Sequence, residues 1–446
     1  PPALPNHDRR RVCPGVLLQG ALACRAKGVR MKYTKQERNW VMYDVGNSAL
    51  VLFNTSVVPI YFDAINTAAN SAELVTAWAN AQTIASLVVA LLMPILGSLA
   101  DFAGNKIKFF LGFFFTGLVL CFAQAIPMGA MPFLVVYVIC TIGLNSSMTF
   151  YDAMLPDITT DERMDTVSSS GYAWGYIGSC VPFIVCIALI LGGPAALNLD
   201  MLLCVRVSFI ITGIWWLAFT LPLVRTYKQR YSKELAPGET FGSEVMRTFR
   251  GLGVTMRRIA QDKAILIYMI AFFFYIDGVH TVISMATTYG TSLGIDSTQL
   301  ILALLVTQFV AFPSAIAYGK LSGKYGTLRM IIIAVVAYVA IVLFAAFFLK
   351  TAVEFWILAV AVGLFQGGIQ ALSRSYFGKL IPKERSNEYY GFFDIFGRYA
   401  SVMGTLLVSV VTSLTGDASL GVLSIGILLI VGLVMLIRLS RIKGMA

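Results

Sequence analysis

Two histidines, His7 and His280, are all that the 446 residues provide, so a metal centre assembled from imidazoles is not expected. The seven cysteines form no CxxC pair, and five of them, Cys121, Cys140, Cys180, Cys186 and Cys204, fall in or beside apolar runs. Small buried hydrophobes are the expectation there, not a redox or metal site. No Gly-rich phosphate loop follows a strand-like segment, so no cofactor is expected and solute gradients must supply any driving force. Charge is scarce as well: Asp, Glu, Lys and Arg make up 13% of the chain, about half the share of a soluble domain.

Apolar residues fill the space. They account for 58% of the chain, and the mean hydropathy is +0.77, which excludes a soluble globule and implies an integral membrane protein. A net charge of +11 would suggest nucleic acid in a soluble chain, but the Lys and Arg lie almost entirely between apolar runs. They read as a topology signal beside a lipid bilayer, and nucleic acid is excluded as a partner.

Spanning a hydrocarbon core of about 30 Å takes roughly twenty helical residues. Twelve apolar runs meet that length, at about 40–63, 74–97, 107–126, 131–153, 170–192, 201–222, 264–289, 298–319, 328–349, 354–377, 389–414 and 419–438. Six lie on each side of a polar stretch. The expected organisation is a tail 1–39, a six-helix half 40–222, a linker 223–263, a second half 264–438 and a tail 439–446. Of the 34 Lys and Arg, only Arg206, in the first turns of the run 201–222, and Lys350 lie on one side, and Arg374 and Arg398 fall inside spans. The remainder puts both termini in the cytoplasm. In the linker, Phe241, Val245, Phe249, Leu252, Met256 and Ile259 recur at near-helical spacing among Arg247, Arg250, Arg257 and Arg258, which predicts an interfacial helix. Residues 1–30 read as a mis-extended or disordered tail ahead of Met31, with only a faint likeness to a signal sequence.

The two halves echo one another. Gly97, Leu99 and Gly104 of the turn Gly97–Lys106 return as Gly319, Leu321 and Gly326, and Leu155-Pro156 is answered by Ile381-Pro382. Parallel repeats place a solute site near the midplane between them. The turn's glycines permit close helix approach, and Asp101 can accept hydrogen bonds at a neighbouring helix N-terminus, which makes it a gating candidate.

That turn resembles the signature loop of the major facilitator superfamily, although Phe102 and Asn105 stand where a base is usual and Gly323 replaces the acid in the second copy. Trp40-Val-Met-Tyr-Asp-Val-Gly-Asn-Ser-Ala, Phe274-Tyr-Ile-Asp-Gly-Val-His-Thr, Gln370-Ala-Leu-Ser-Arg-Ser and Phe393-Asp-Ile-Phe-Gly-Arg-Tyr-Ala-Ser narrow the resemblance to its vacuole-effluxer-like branch. The resemblance implies an all-α membrane protein of twelve helices in two pseudo-symmetric halves, working as a carrier of a small organic solute. It places amino acids first, with efflux as the association of fungal members. Carriers of sugars, peptides or lipids, and a non-transporting receptor or scaffold, are the alternatives. A bacterial cell membrane is the expected location, or the vacuolar membrane in a fungus, with a coupling proton as a further partner and a monomer as the assembly.

Ionisable groups inside spans are the default functional candidates, because burying a charge in lipid costs at least about 2.5–3.5 kcal/mol. Asp277 lies about thirteen residues, roughly 20 Å, into span seven. It is a candidate for a substrate ammonium or a coupling proton, with His280 and Tyr275 nearby, and a structural acid between helices is the rival. Arg398 in span eleven suits a substrate carboxylate, unless Asp394 at i−4 claims it as an internal salt bridge. Asp44 and Asp152, near span ends, are expected to reach interfacial water or act at a gate, and Arg374 to snorkel or to tie helix ends together. Asn47, Ser48, Asn54, Gln82, Asn145, Gln308, Gln366 and Gln370 either line a hydrated cavity or bond helix to helix. Asn54 and Gln370 join Asp277, Arg398, His280 and Tyr275 as candidates for substrate binding or coupling; Asp44, Asp101, Arg374 and Asp394 are the gating set. The Gly-rich pieces 171–178 and 363–368 read as close-packing surfaces. With chemistry-bearing residues so thin at either face, an enzyme is not expected.

Overall fold

A computed structural model of the chain describes residues 33–66, 71–234, 253–399 and 402–444. The described residues are almost wholly helical: α1 (Lys35–Ser56), α2 (Val58–Ile65), α3 (Ser71–Ala100), α4 (Asn105–Ala123), α5 (Ala130–Ala153), the single turn α6 (Leu155–Ile158), α7 (Asp161–Leu197) and α8 (Met201–Thr226). After the linker come α9 (253–261), α10 (Lys263–Ser292), α11 (Ser297–Tyr325), α12 (Thr327–Phe347), α13 (Ala352–Leu380), α14 (Ser386–Tyr399), α15 (Val402–Thr415) and α16 (Ala418–Ile442). No strand occurs among them; the one bridge pairs Phe102 with Lys233.

Ten of these helices are long and apolar enough to cross a membrane, and eleven if α1 and α2, bent by 43°, count as one span. The bend has a local cause. Pro59 in the first turn of α2 lacks an N–H and crowds the carbonyl a turn earlier. The predicted eleventh span is α14 followed by the short apolar α15, with 400–401 outside the described residues. Helix α7 begins at Asp161, well before the apolar run that announced it, because its first turns carry Asp165, Ser168 and Ser169. Of the predicted interfacial helix, 241–252 lies outside the described residues, as do residues 1–32. Its last part is helical, with Val254 and Met256 exposed and Thr255 and Ile259 buried.

The linker divides the core. Trp40, Tyr43, Phe110, Phe114, Tyr151 and Trp216 belong to one buried cluster and Phe53, Tyr61, Phe133, Tyr137 and Phe209 to a second, both drawn from α1–α8. Tyr268, Phe272, Ile331, Tyr338, Phe377, Phe393 and Leu429 belong to a third, drawn from α9–α16 with Ala153 joining from the first half. Leu91, Val119, Leu191, Ile427 and Val434 stand exposed on the helices, as side chains facing lipid must. Both copies of the turn end in a glycine of positive φ directly before a helix, Gly104 at 72° and Gly326 at 90°, which glycine adopts freely, although ψ differs, 0° against 142°. The five cysteines that fall within helices are buried and free.

Candidate functional site

The start of α1, the turns 101–105, 154–161 and 326, and the segments 227–234 and 381–386 gather at one end of the bundle. There the two halves meet through charged side chains. Asp101, 1% exposed, accepts hydrogen bonds from the backbone N–H of Asn387 at 2.9 Å, from its side-chain amide at 2.8 Å and from the N–H of Glu388 at 3.1 Å. These are first-turn donors of α14, which have no partner inside their own helix. Close approach makes the contact possible: a Cβ on Gly97 would sit 2.5 Å from the Asn387 carbonyl oxygen, and one on Gly391 would sit 2.7 Å from that of Met93. Burial pushes the Asp101 carboxyl up from its ordinary 3.8 to about 6, although Lys233, Lys106 and the Asn387 bonds pull the other way.

Around this clasp lie two further ion pairs. Lys106, wholly buried, donates to Asp157 at 2.7 Å and across the interface to the Ser386 hydroxyl at 2.8 Å. Asp157 in turn accepts from the Tyr227 hydroxyl and from the N–H groups of Arg230 and Tyr231, which pins the start of the linker. Lys233 reaches Glu388 at 2.6 Å, and Glu388 also accepts from Thr255 of α9.

The second copy of the turn has its own clasp with donor and acceptor exchanged. Gly323 leaves that turn without an acid, and the acid is supplied by the partner helix. Asp165 of α7 accepts from Thr327 at 2.6 Å, Ser375 at 2.7 Å and Lys379 at 2.6 Å. Gly319 again marks the close approach, its hypothetical Cβ lying 2.7 Å from that of Ser169. Lys383 and Asp161 pair at 2.8 Å beside it.

About a turn deeper, Arg374 of α13 enters the first half. Its guanidinium meets Asp44 at 3.1 Å and Asp152 at 2.9 Å and donates from Nε to the Ser168 hydroxyl at 2.9 Å. It lies 4.6 Å from the ring centre of Trp40 and 4.4 Å from that of Tyr172. Of the alternatives expected, snorkelling by Arg374 and interfacial water at Asp44 are corrected, since the two are 4% and 7% exposed, whereas the Asp152 side chain keeps 30% exposure; Arg374 ties helices together instead. Arg374 and Asp44 each supply the buried charge of the other with its partner. Gly171 leaves it room, for a Cβ there would fall 2.2 Å from Asp44 Oδ2.

The structure brings all four gating candidates into bonds between the halves: Asp101, Asp44 and Arg374 as described, and Asp394 of α14, which accepts from Thr149 of α5. The substrate candidates are scattered. Gln370 bridges the halves, accepting from the Tyr176 hydroxyl at 2.9 Å. Asp277, fully buried, lies within the second half and accepts from the Gly404 N–H at 3.1 Å. Tyr275 turns away from it towards α13, bonding Ser373 at 2.6 Å. His280 is half-buried, Asn54 is buried in α1, and the Arg398 side chain lies outside the described residues. An apolar cavity of about 80 Å³ opens inside the second half, with Gln308 and Gln366 among its lining residues and no candidate acid or base. Sequence reasoning missed Lys106, Asp157, Asp165 and Lys379. The sequence signal for Asp157 was its place directly after Leu155-Pro156, one of the repeated pairs.

Solved structures share this architecture. The major facilitator superfamily transporter FucP, in its outward conformation, aligns at TM-score 0.69 over 90% of this chain and 97% of that one, with 14% identity. The proton:xylose symporter XylE aligns at TM-score 0.66 over 92% and 94%, with 11% identity. The chain is thus a multi-pass membrane protein with the fold of that superfamily, and its relatives identify it as a transporter, not an enzyme. Residues 33–446 match the model of the family described as vacuole effluxer Atg22 like, and the chain belongs to that family. It is 42% identical, over 91% of its length and 95% of the relative's, to the uncharacterized MFS-type transporter YxiO of Bacillus subtilis. Autophagy-related protein 22 of Coccidioides immitis is 26% identical over 64% of this chain and 50% of that protein.

Proposed function

We propose that the chain is a secondary active transporter of a small organic solute, amino acids foremost, that works by rocking its two halves. In this reading the end at which α1 starts and α16 finishes is a gate, and it is shut. The observation that carries this reading is an asymmetry: among the described residues, the ion pairs that join the halves lie at that one end. A carrier tied at one end, with no ion pair joining its halves elsewhere among the described residues, has the form that alternating access requires. The abundance of Lys and Arg at the shut end supports a cytoplasmic location for it and for both termini, and the Bacillus relative supports a cell membrane.

Asp101, Asp44, Arg374 and Asp394 act as gate residues in this reading, with Asp165 and Lys106 added to them. Asp277 and Arg398 remain the acid and base suited to a zwitterion, and Gln370 borders the space between the halves. Amino acids stand first through the family's description as an effluxer and the resemblance set out above. The test is uptake and efflux of labelled amino acids by proteoliposomes, with Asp277→Asn and Arg398→Gln beside the parent. Loss of transport in either variant supports the assignment of the binding pair; unchanged transport in both removes it. Absence of transport by the parent for every amino acid removes the substrate class.

A further inference from the structure

The surroundings of Arg374 belong almost entirely to the other half. Asp44 and Trp40 come from α1, Tyr151 and Asp152 from α5, and Ser168 and Tyr172 from α7. We propose that this cage is a receptor for an organic cation, a guanidinium- or ammonium-bearing solute, whose place Arg374 holds while the gate is shut.

The cage is built without help from its occupant. Trp40 and Tyr151 stack at 4.4 Å between ring centres and exchange hydrogen bonds, each side chain donating to the other's carbonyl at 3.1 Å. The side chain of Asn47 donates to Asp44 at 3.5 Å. Two carboxylates face one guanidinium, so the site holds more negative charge than its occupant neutralises. The other groups facing it from the second half are Asp394 and Tyr390 of α14, the latter donating to the Arg374 carbonyl at 2.8 Å; neither is a cation.

When the halves part, Arg374 leaves with α13 and the carboxylates lose their partner, which is costly for buried charge. A proton on one carboxyl would replace the lost positive charge but gain nothing from three ring faces. A polarisable cation uses both, lying against Trp40 and Tyr172 while it pairs with Asp44 and Asp152. A way in exists, since the Asp152 side chain is 30% exposed. Arg374 and the solute therefore compete for one seat, and a bound cation holds the gate open. The inference rests on the rocking of the halves for the emptying of the cage, not for its chemistry.

Titration of the purified full-length chain tests it, with ethylguanidinium and ethylammonium as probes and ethylurea as the neutral match, all well below denaturing concentrations. Arg374→Ala removes the tethered competitor. If the shut state fills nine-tenths of the population, the variant should bind ethylguanidinium about tenfold more tightly than the parent, because only the vacant fraction binds. Ethylurea should not bind, and adding Trp40→Leu to Arg374→Ala should abolish the gain. Equal affinity in parent and variant, equal binding of ethylurea, or binding that survives Trp40→Leu would each overturn the proposal. Should Arg374→Ala fail to fold, the parent background decides: Ser98→Cys, at a position buried in the shut state, should react faster with a water-soluble maleimide when ethylguanidinium is present and not when ethylurea is. No such difference overturns the proposal. Counterflow of labelled agmatine, arginine and leucine separates the two readings. Leucine counterflow without cation binding removes the cage alone, whereas cation binding without any counterflow upholds the cage and removes transport.

Discussion

Lys106 and Asp157 pair at 2.7 Å with no exposure on either side chain. Removing one partner of such a pair strands a buried charge at a cost of about 3–5 kcal/mol, whereas replacing both by apolar residues is close to neutral. Lys106→Met is therefore expected to lower the melting temperature markedly, and Lys106→Met with Asp157→Leu to recover most of the loss, less whatever Asp157 contributes through Tyr227, Arg230 and Tyr231. Calorimetry of the two variants checks this; equal destabilisation in both would contradict it. Asp101 offers a pH test. Its carboxyl stands near 6 when shut in, raised by burial against Lys233 and Lys106, and near 3.8 when solvated. The shut state thus holds the proton more firmly. Its advantage from this group is full below about 3.8 and is lost as pH rises through about 6. Maleimide labelling of a cysteine at Ser98 should accordingly rise between pH 5 and pH 8 beyond the reagent's own pH trend, and Asp101→Asn should flatten the excess. The two residues were unequally legible. An acid just past a helix between spaced glycines already suggests a helix N-terminus as its partner. A lysine in a short loop reads as a topology signal until Ser386 and Asp157 are seen to enclose it.

At the scale of elements, glycine decides how near α3 lies to α14. The obstacle to a larger residue at Gly97 is backbone, with the Asn387 carbonyl carbon 2.9 Å and its oxygen 2.5 Å from a hypothetical Cβ, so the helices themselves must yield. Overpacking of this kind costs typically about 1–3 kcal/mol. Gly97→Val should weaken the shut state, raise labelling at Ser98 and leave the helix content seen by circular dichroism intact; unaltered labelling would show that the contact does not hold the gate. Long apolar runs announced most spans to within a few residues, because lipid admits little else. Where polar residues join the two halves, the runs misled. Helix α7 starts early because Asp161, Asp165, Ser168 and Ser169 face the other half, and α14 opens with Ser386, Asn387 and Glu388 for the same reason. The second clasp was hidden because the absence of an acid at Gly323 says nothing about Asp165, far away in the chain.

For the molecule as a whole, if the halves rock as proposed, the clasps set the balance between a shut and an open gate, and a ligand moves that balance only through unequal affinity for the two states. Asp101 touches no part of the space between the halves that Gln370 and Tyr176 border. Weakening it changes how readily the gate opens, with little effect on contacts to the solute. Asn at 101 keeps the shape but has one acceptor oxygen and no charge, so it cannot receive all three N–H groups of Asn387 and Glu388 as well as the carboxylate does. The hydrogen bond lost from the Glu388 N–H is worth about 0.5–1.5 kcal/mol net, offset in part by the burial cost of a charge that Asn does not carry, and a shift of about 1.4 kcal/mol in the balance is tenfold in population. Asp101→Asn should therefore change the maximal transport rate several-fold while the half-saturating solute concentration moves by less. Opposed changes are expected from Asp277→Asn if that residue meets the solute: affinity falls first. Initial rates in proteoliposomes across a range of solute concentrations separate the two cases, and an affinity loss at unchanged rate in Asp101→Asn would place the clasp within the binding site and not at the gate.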